Sequence, residues 1–354
     1  MSKKIAMLTG GGDCPGLNAV IRAVTRKALQ EGFEAIGFRN GWAGVLKGEF
    51  IPLNRERVSG ILHLGGTILG TSRTNPTDEQ LDQIVRNLKG FNVHALVAIG
   101  GDDTLTVASR LHTRGVPVIG CPKTIDNDIF GTDQTFGFDT AVNIATEALD
   151  RLHTTAEAHS RVLVCEIMGR QAGWIALWSG IAGGADIILL PEFPMSLAEI
   201  CQIIKQRQAS GKNFSIIGVA EGFRLEGHEV TQTKELDAFG HVRLGGIAEV
   251  LATEIEKLTG IESRTVVLGH IQRGGTPTAF DRVLGTRYGV KAVELAAAGE
   301  FGKMVALRGT EVVGIPFSDV IHEVVDKKTG ISKLRLRNRC VSKELYDVSK
   351  VFFG

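Results

Sequence analysis

The residues able to do chemistry fall in a few short stretches. CPKTIDNDIFGTDQTFGFDTA, at 121–141, brings Lys123, Asp126 and Asp128 close together. A cation beside paired carboxylates suits transfer of phosphate to a hydroxyl, one carboxylate taking the hydroxyl proton while the other orients it or touches a metal. IGGDDT, at 99–104, sets two acids after two glycines. Asp and Thr are ordinary caps at a helix N-terminus, which accounts for one of the two carboxylates. Mg²⁺ is usually held by one or two carboxylates plus substrate phosphates, which makes Asp102 a candidate ligand. TGGGDCPGLNAVIR, at 9–22, contributes Gly10, Gly11 and Gly12, which let a ligand approach the backbone, and Gly16, after which a helix start points N–H groups outward. This loop fits neither GxGxxG nor GxxxxGK[ST], so a dinucleotide fold and a Walker-type nucleotidase lack support.

Cations come later in the chain. MGRQAGW, at 168–174, and GHIQRGG, at 269–275, carry Arg170, His270 and Arg273, and Arg161 and Arg264 stand nearby in sequence. Arginines grouped in this way make forked contacts to phosphoryl oxygens and imply a second anionic group. HExxH, GxSxG and a locally paired Cys–His are absent, which leaves metalloprotease and acyl-transfer chemistry unsupported.

These loops need rigid elements to hold them. Short apolar runs alternate with segments of helical period, the pattern of parallel sheets covered by helices on both faces. Strands are predicted at 5–9, 34–38, 95–99, 117–120, 162–167, 187–190, 216–220 and 265–268. Helices are predicted at 17–29, 77–88, 104–112, 141–153, 198–207, 246–258 and 281–298. A boundary near Asp139 separates two doubly wound, three-layer α/β/α halves, and ligands are expected in a cleft beyond the carboxyl ends of their strands. KLRLRNR, at 333–339, reads as a solvated strand, because no aromatic residue accompanies its basic ones. With 40 Lys+Arg against 39 Asp+Glu in 354 residues, no overall field favours nucleic acid or an anionic membrane, so any anion site is local. Five scattered cysteines fit a reducing cytoplasm rather than a disulfide framework or a metal site. MSKKIAMLTGGG has no signal-peptide core, and no apolar run nears the roughly 18 residues of a membrane span. A cytoplasmic protein is expected.

Taken together, GGGDCPGLN, LGTSR at 69–73, GGDDT, PKTIDND, MGRQAGW, AEGF at 220–223 and GHIQRGG resemble, in order and over nearly the whole chain, the 6-phosphofructokinase family. The resemblance implies phosphoryl transfer to the 1-hydroxyl of fructose 6-phosphate, with Asp126 as general base, Asp128 beside it and Thr124 at the sugar or the moving phosphoryl group. It implies that Arg170 stabilises the developing charge and that Met168, Gly169, Glu221, His270 and Arg273 hold the sugar phosphate. Gly11, Arg73 and Asp102 match the donor and Mg²⁺ side. Arg161 and Arg264 match positions that reach in from a neighbouring subunit, implying a homodimer or homotetramer. The implied division is a donor domain of 1–138 plus about 272–306, a sugar-phosphate domain of about 139–271 plus 307–330, and an extension of about 331–354. His153 stands where allosteric relatives have an effector arginine, although Arg22 and Arg26 persist, and the loop 224–244 is long.

Two positions bear on the donor. ATP-using members typically have glycine where this chain has Asp103, and often glycine in place of Lys123; pyrophosphate-using members resemble this chain at both. A carboxylate about 4 Å from a nucleotide phosphate opposes binding by roughly 4 kcal/mol at an effective dielectric near 20. That is several hundredfold, at about 1.4 kcal/mol per tenfold. The Lys123 ammonium acts oppositely, neutralising the small, highly charged pyrophosphate and its leaving phosphate. The expected reaction is therefore pyrophosphate-dependent and reversible, with an ATP-dependent enzyme and a non-catalytic sugar-phosphate-binding subunit as alternatives.

Overall fold

The computed structural model describes residues 3–225, 245–325 and 332–354. In chain order the elements are β1 (Lys4–Thr9), α1 (Leu17–Gln30), β2 (Glu34–Phe38), α2 (Trp42–Lys47), β3 (Phe50–Leu53), α3 (Asp78–Gly90), β4 (Val93–Gly100), α4 (Asp102–Thr113), β5 (Val118–Pro122) and α5 (Phe138–His159). They continue with β6 (Val162–Ile167), α6 (Trp174–Ala182), β7 (Ile187–Leu189), α7 (Leu197–Ala209), β8 (Ser215–Ala220), α8 (Ile247–Thr259), β9 (Ser263–Val267), a 3₁₀ turn (Gly269–Arg273) and α9 (Ala279–Ala297). The last are β10 (Lys303–Arg308), β11 (Glu311–Pro316), α10 (Phe317–Val320), β12 (Ile321–Val325), β13 (Ser332–Leu336) and α11 (Lys343–Lys350).

The chain divides into two compact units. The first comprises Met1–Thr124, Ile129–Asp139 and Arg273–Asn338. Its seven-stranded sheet has the order β11-β10-β5-β4-β1-β2-β3, with parallel pairs in the middle and antiparallel β11 and β3 at the two edges. Beyond their first residues (Lys4, and Val93 and His94) the central strands are buried and, Thr9 apart, apolar, which is why they read as continuous hydrophobic runs rather than alternating ones. Strand order reverses between β1 and β4, and the register pairs Thr9 with Ile99 and Ile99 with Cys121. The loops after β1, β4 and β5 therefore leave the sheet side by side, at the place where open α/β sheets bind ligands.

The second unit comprises Ile125–Asp128, Thr140–Gln272 and Arg339–Gly354. Its sheet, β7-β8-β6-β9, is wholly parallel. Order reverses at β6, so the loops after β6, β8 and β9 emerge together, with Ile167 beside Ala220 and Glu166 beside Val267. One apolar cluster, including Val164, Ile187, Val219, Leu251 and Ile255, seats α7 and α8 against this sheet.

The fold is the expected α/β class with mostly parallel sheets. The segment 307–330 differs from its expected place in the second half. β10 pairs with β5, and β11 pairs with β10, so hydrogen bonding of the backbone adds both strands to the first sheet. The extension 331–354 is likewise divided, 332–338 belonging to the first unit and 339–354 to the second. Strands β3, β10, β11 and β12 were not among the predicted strands. KLRLRNR does form an exposed strand, except that Leu336 turns inward at 5% exposure. The long loop 224–244 lies mostly outside the described residues, and no helix among the described residues is long and apolar enough to cross a membrane.

Candidate functional site

The first unit gathers the residues expected on the donor side. Gly10 N–H donates to the Ile99 carbonyl at 2.9 Å and Lys123 N–H to the Gly100 carbonyl at 2.9 Å, stitching the three loops together. The buried Thr104 side chain fills the space between them: a Cβ on Gly10 would lie 2.5 Å from Thr104 Oγ1, and one on Gly100 2.4 Å from Thr104 Cβ. Gly11 has a φ of 76°, in the left-handed region, and its carbonyl accepts the Thr71 hydroxyl at 2.5 Å, which anchors the segment leading to the exposed Arg73. Lys123 is 3% exposed, and its ammonium donates to the Gly12 carbonyl. The Arg273 guanidinium stands beside the same glycine, 3.1 Å from where a Gly12 Cβ would be. A lysine and an arginine thus face one glycine turn, an arrangement suited to a small polyanion.

Asp102 and Asp103 form the first turn of α4 behind Gly101, where the positive end of the helix dipole favours both charges. Asp102 Oδ1 accepts the Leu336 N–H of β13 at 2.9 Å and the Thr106 hydroxyl at 3.2 Å. Burial pushes the Asp102 carboxyl above its ordinary range and the Asp103 charge adds to this, while those two hydrogen bonds pull it back. Among the described residues no group of three or more His, Cys, Asp or Glu could hold a metal ion. Asp102, at the start of α4 behind the Gly100–Gly101 turn, is the kind of single carboxylate through which Mg²⁺ would bind beside substrate phosphates.

The second unit holds most of the residues expected on the sugar side, whereas Thr124 and Arg273 fall in the first unit. Asp126 is 6% exposed and Asp128 half-buried, with Asn127 between them at a φ of 54°. The left-handed Asn turns the backbone sharply enough to separate the directions of the two aspartates. Arg170 also has a positive φ, 54°, after Gly169 at 150°. Glu221, at the end of β8, holds that bend: its Oε1 accepts the Arg170 N–H at 2.8 Å and the Gly169 N–H at 3.2 Å. Burial raises the Glu221 pKa, the Arg170 N–H lowers it, and the nearby Asp126 charge raises it again, so Glu221 and Asp126 share one electrostatic environment. Met168 N–H donates to Oε1 of the fully buried Gln272 at 3.0 Å, joining the loop after β6 to the 3₁₀ turn that carries the exposed His270.

Arg161 and Arg264 are elsewhere. Both pair with Glu262, Arg161 through Nε at 2.7 Å, and both sit near the amino ends of β6 and β9. Met168–Arg170 leave the other end of β6, about 20 Å away at ~3.3 Å per residue. Within one chain these two arginines and Arg170 cannot share a ligand. Gln272 and Glu262 escaped the sequence reading; Gln272 lies inside GHIQRGG, and the signal for Glu262 was only its place beside two arginines.

Residues 4–296 match the family profile described as Phosphofructokinase. The chain is 54% identical to the pyrophosphate--fructose 6-phosphate 1-phosphotransferase of Streptomyces coelicolor, over 99% of this chain and 100% of that protein. It is 55% identical to the ATP-dependent 6-phosphofructokinase 2 of Clostridium perfringens, over 88% of this chain and 89% of that protein. Among solved structures, phosphofructokinase from Saccharomyces cerevisiae superposes with a TM-score of 0.79 at 32% identity, covering 90% of this chain and 45% of the yeast chain.

Proposed function

On the premise that the chain belongs to the phosphofructokinase family, we propose that it transfers a phosphoryl group reversibly between inorganic pyrophosphate and the 1-hydroxyl of fructose 6-phosphate, giving fructose 1,6-bisphosphate and phosphate. The observation that carries the choice of donor is the pair formed by Asp103, in the first turn of α4, and Lys123, whose ammonium meets the Gly12 turn. The carboxylate opposes a nucleotide's further phosphate, and the ammonium favours a compact, multiply charged donor.

In this reading the Asp126 carboxylate takes the proton of the 1-hydroxyl as its oxygen bonds to the transferred phosphorus, and the bond from phosphorus to the departing phosphate breaks. Asp128 and Thr124 orient the hydroxyl and the moving group. Arg170, fixed by Glu221, neutralises charge that grows on the phosphoryl oxygens. Met168, Gly169, Glu221, His270 and Arg273 hold the sugar phosphate; Gly11, Arg73 and Lys123 hold the donor. Asp102 would hold Mg²⁺, which supplies charge neutralisation on the donor's oxygens. The separation of Arg161 and Arg264 from Arg170 along β6 supports a homo-oligomer in which they serve a neighbouring copy. A reaction between small soluble phosphates fits the cytoplasm.

The 55% identity to a protein named ATP-dependent favours a second reading, an ATP-dependent 6-phosphofructokinase. A coupled assay with fructose 6-phosphate, Mg²⁺ and either donor separates the two. Turnover is expected with pyrophosphate and not with ATP; comparable rates with ATP would sink the donor assignment.

A further inference from the structure

The late segment 339–341 has no part in the reaction as derived above, yet it grips the loop that carries Asp126 and Asp128. Arg339 N–H donates to the Asp128 carbonyl at 2.7 Å. Arg339 is itself clamped twice by Trp174: its carbonyl accepts the indole Nε1–H at 2.8 Å, and its guanidinium carbon lies 4.0 Å from the ring centroid. Two residues on, Val341 N–H donates to Glu192 Oε1 at 3.1 Å. The same carboxylate accepts Gly173 N–H through Oε1 at 3.0 Å and Oε2 at 3.1 Å. Gly173 and Trp174 close the loop that bears Met168, Gly169 and Arg170. Further along, Tyr346 is 2% exposed and stacks on Phe193 with centroids 4.4 Å apart, so the chain beyond Val341 is anchored as well.

We propose that Arg339, Trp174 and Glu192 are positioning residues: they clamp the segment 339–341 so that it fixes the Asp128 backbone, and with it the aim of Asp126 and Asp128, relative to the loop of Arg170. The inference rests on the proposed phosphoryl transfer. Its physical basis is the steep dependence of rate on geometry, since a shift of about 1 Å in a reacting group costs on the order of a hundredfold. None of the three side chains need touch substrate. Arg339 acts through its own backbone and through Trp174, whose ring lies against the guanidinium and whose N–H fixes the Arg339 peptide. Glu192 acts by bonding two chain segments with one carboxylate, a role glutamine fills only in part because its amide nitrogen cannot accept.

The test uses Arg339→Ala, Arg339→Lys, Trp174→Phe and Glu192→Gln in the full chain, each assayed with fructose 6-phosphate and pyrophosphate beside the wild type. Arg339→Ala is expected to lower kcat per folded protein by about tenfold to a hundredfold, with KM for fructose 6-phosphate changed less than about threefold. Arg339→Lys, which keeps a cation over the ring, is expected to recover most of that loss. Trp174→Phe and Glu192→Gln each remove one hydrogen-bonding function and are expected to fall between these limits, which keeps the question open to measurement even where Arg339→Ala does not fold. A purely structural role would lower the melting temperature and leave kcat per folded protein unchanged in all four variants, and that result overturns the proposal. Failure of the wild type to turn over is a different outcome, bearing on the reaction and not on the clamp.

Discussion

The loops of the first unit take their shape from side chains that are missing, whereas those of the second take theirs from carboxylates distant in the chain. Around Thr104, Gly10 and Gly100 leave room for one hydroxyl and one methyl group, and the donor turn closes on that space. In the second unit Glu221 accepts N–H groups from Gly169 and Arg170, Glu192 from Gly173 and Val341, and the buried Glu166 from Gly246 and Ala248. The difference teaches where tolerance lies. A glycine-made turn fails on the addition of a single methyl group, while a carboxylate-made turn fails on loss of an acceptor and responds to pH.

The largest test of this contrast is Asp126→Asn. If the second unit carries the proton transfer, kcat falls by about 10²- to 10⁴-fold while KM for fructose 6-phosphate changes little; near-normal turnover would remove Asp126 as the base. Next comes Asp103→Gly in the first unit, which is expected to strengthen ATP binding by up to several hundredfold, as roughly 4 kcal/mol of repulsion is relieved. Calorimetric titration with ATP checks it, and an unchanged affinity means that Asp103 does not select the donor. A smaller effect is expected from Gly10→Ala, about 1–3 kcal/mol of lost stability from overpacking against Thr104 Oγ1. Adding Thr104→Ala should restore much of it, and simple additivity in urea denaturation would show that the clash is not with that side chain.

The smallest effect is electrostatic. Burial holds the Glu221 pKa above the ordinary carboxylate value, so the folded state binds that proton more tightly than the unfolded state does. The stability this contributes is fully present below the unfolded value and is lost as pH rises through the folded value. Glu221→Gln cannot ionise, so relative to the wild type it should gain stability between mildly acidic and neutral pH. Urea midpoints measured for both proteins across that range check the sign; a difference that does not vary with pH would place Glu221 in a solvated setting.

The contrast also explains what the sequence made legible. The glycine turns, the acids after them and the strands that launch them are adjacent in the chain, so local reading recovered β1, β4, β5 and the positions of the loops after them. Gln272 supports Met168 from 104 residues away and Glu221 supports Arg170 from 51 residues away. Such partners are set by tertiary pairing, which no local pattern encodes. The segment 307–330, which the resemblance placed in the other half, is set by pairing of the same kind, β11 bonding to β10 and so joining the first sheet. The direct contacts of Arg339 with Asp128 and of Leu336 with Asp102 run through backbone N–H groups, which every residue but proline possesses, and so left no mark in residue type.

Synthesis of the chain gives one of these contacts a further meaning. Leu336 reaches Asp102 across 234 residues. At roughly 5–20 residues per second, Asp102 leaves the ribosome on the order of 10–50 s before its partner. During that interval β1, β4 and β5 can pair and the glycine turn can form, while the carboxylate proposed to carry the metal still lacks the N–H that orients it. A nascent chain can therefore assemble most of the first sheet well before the proposed cation site at Asp102 is set.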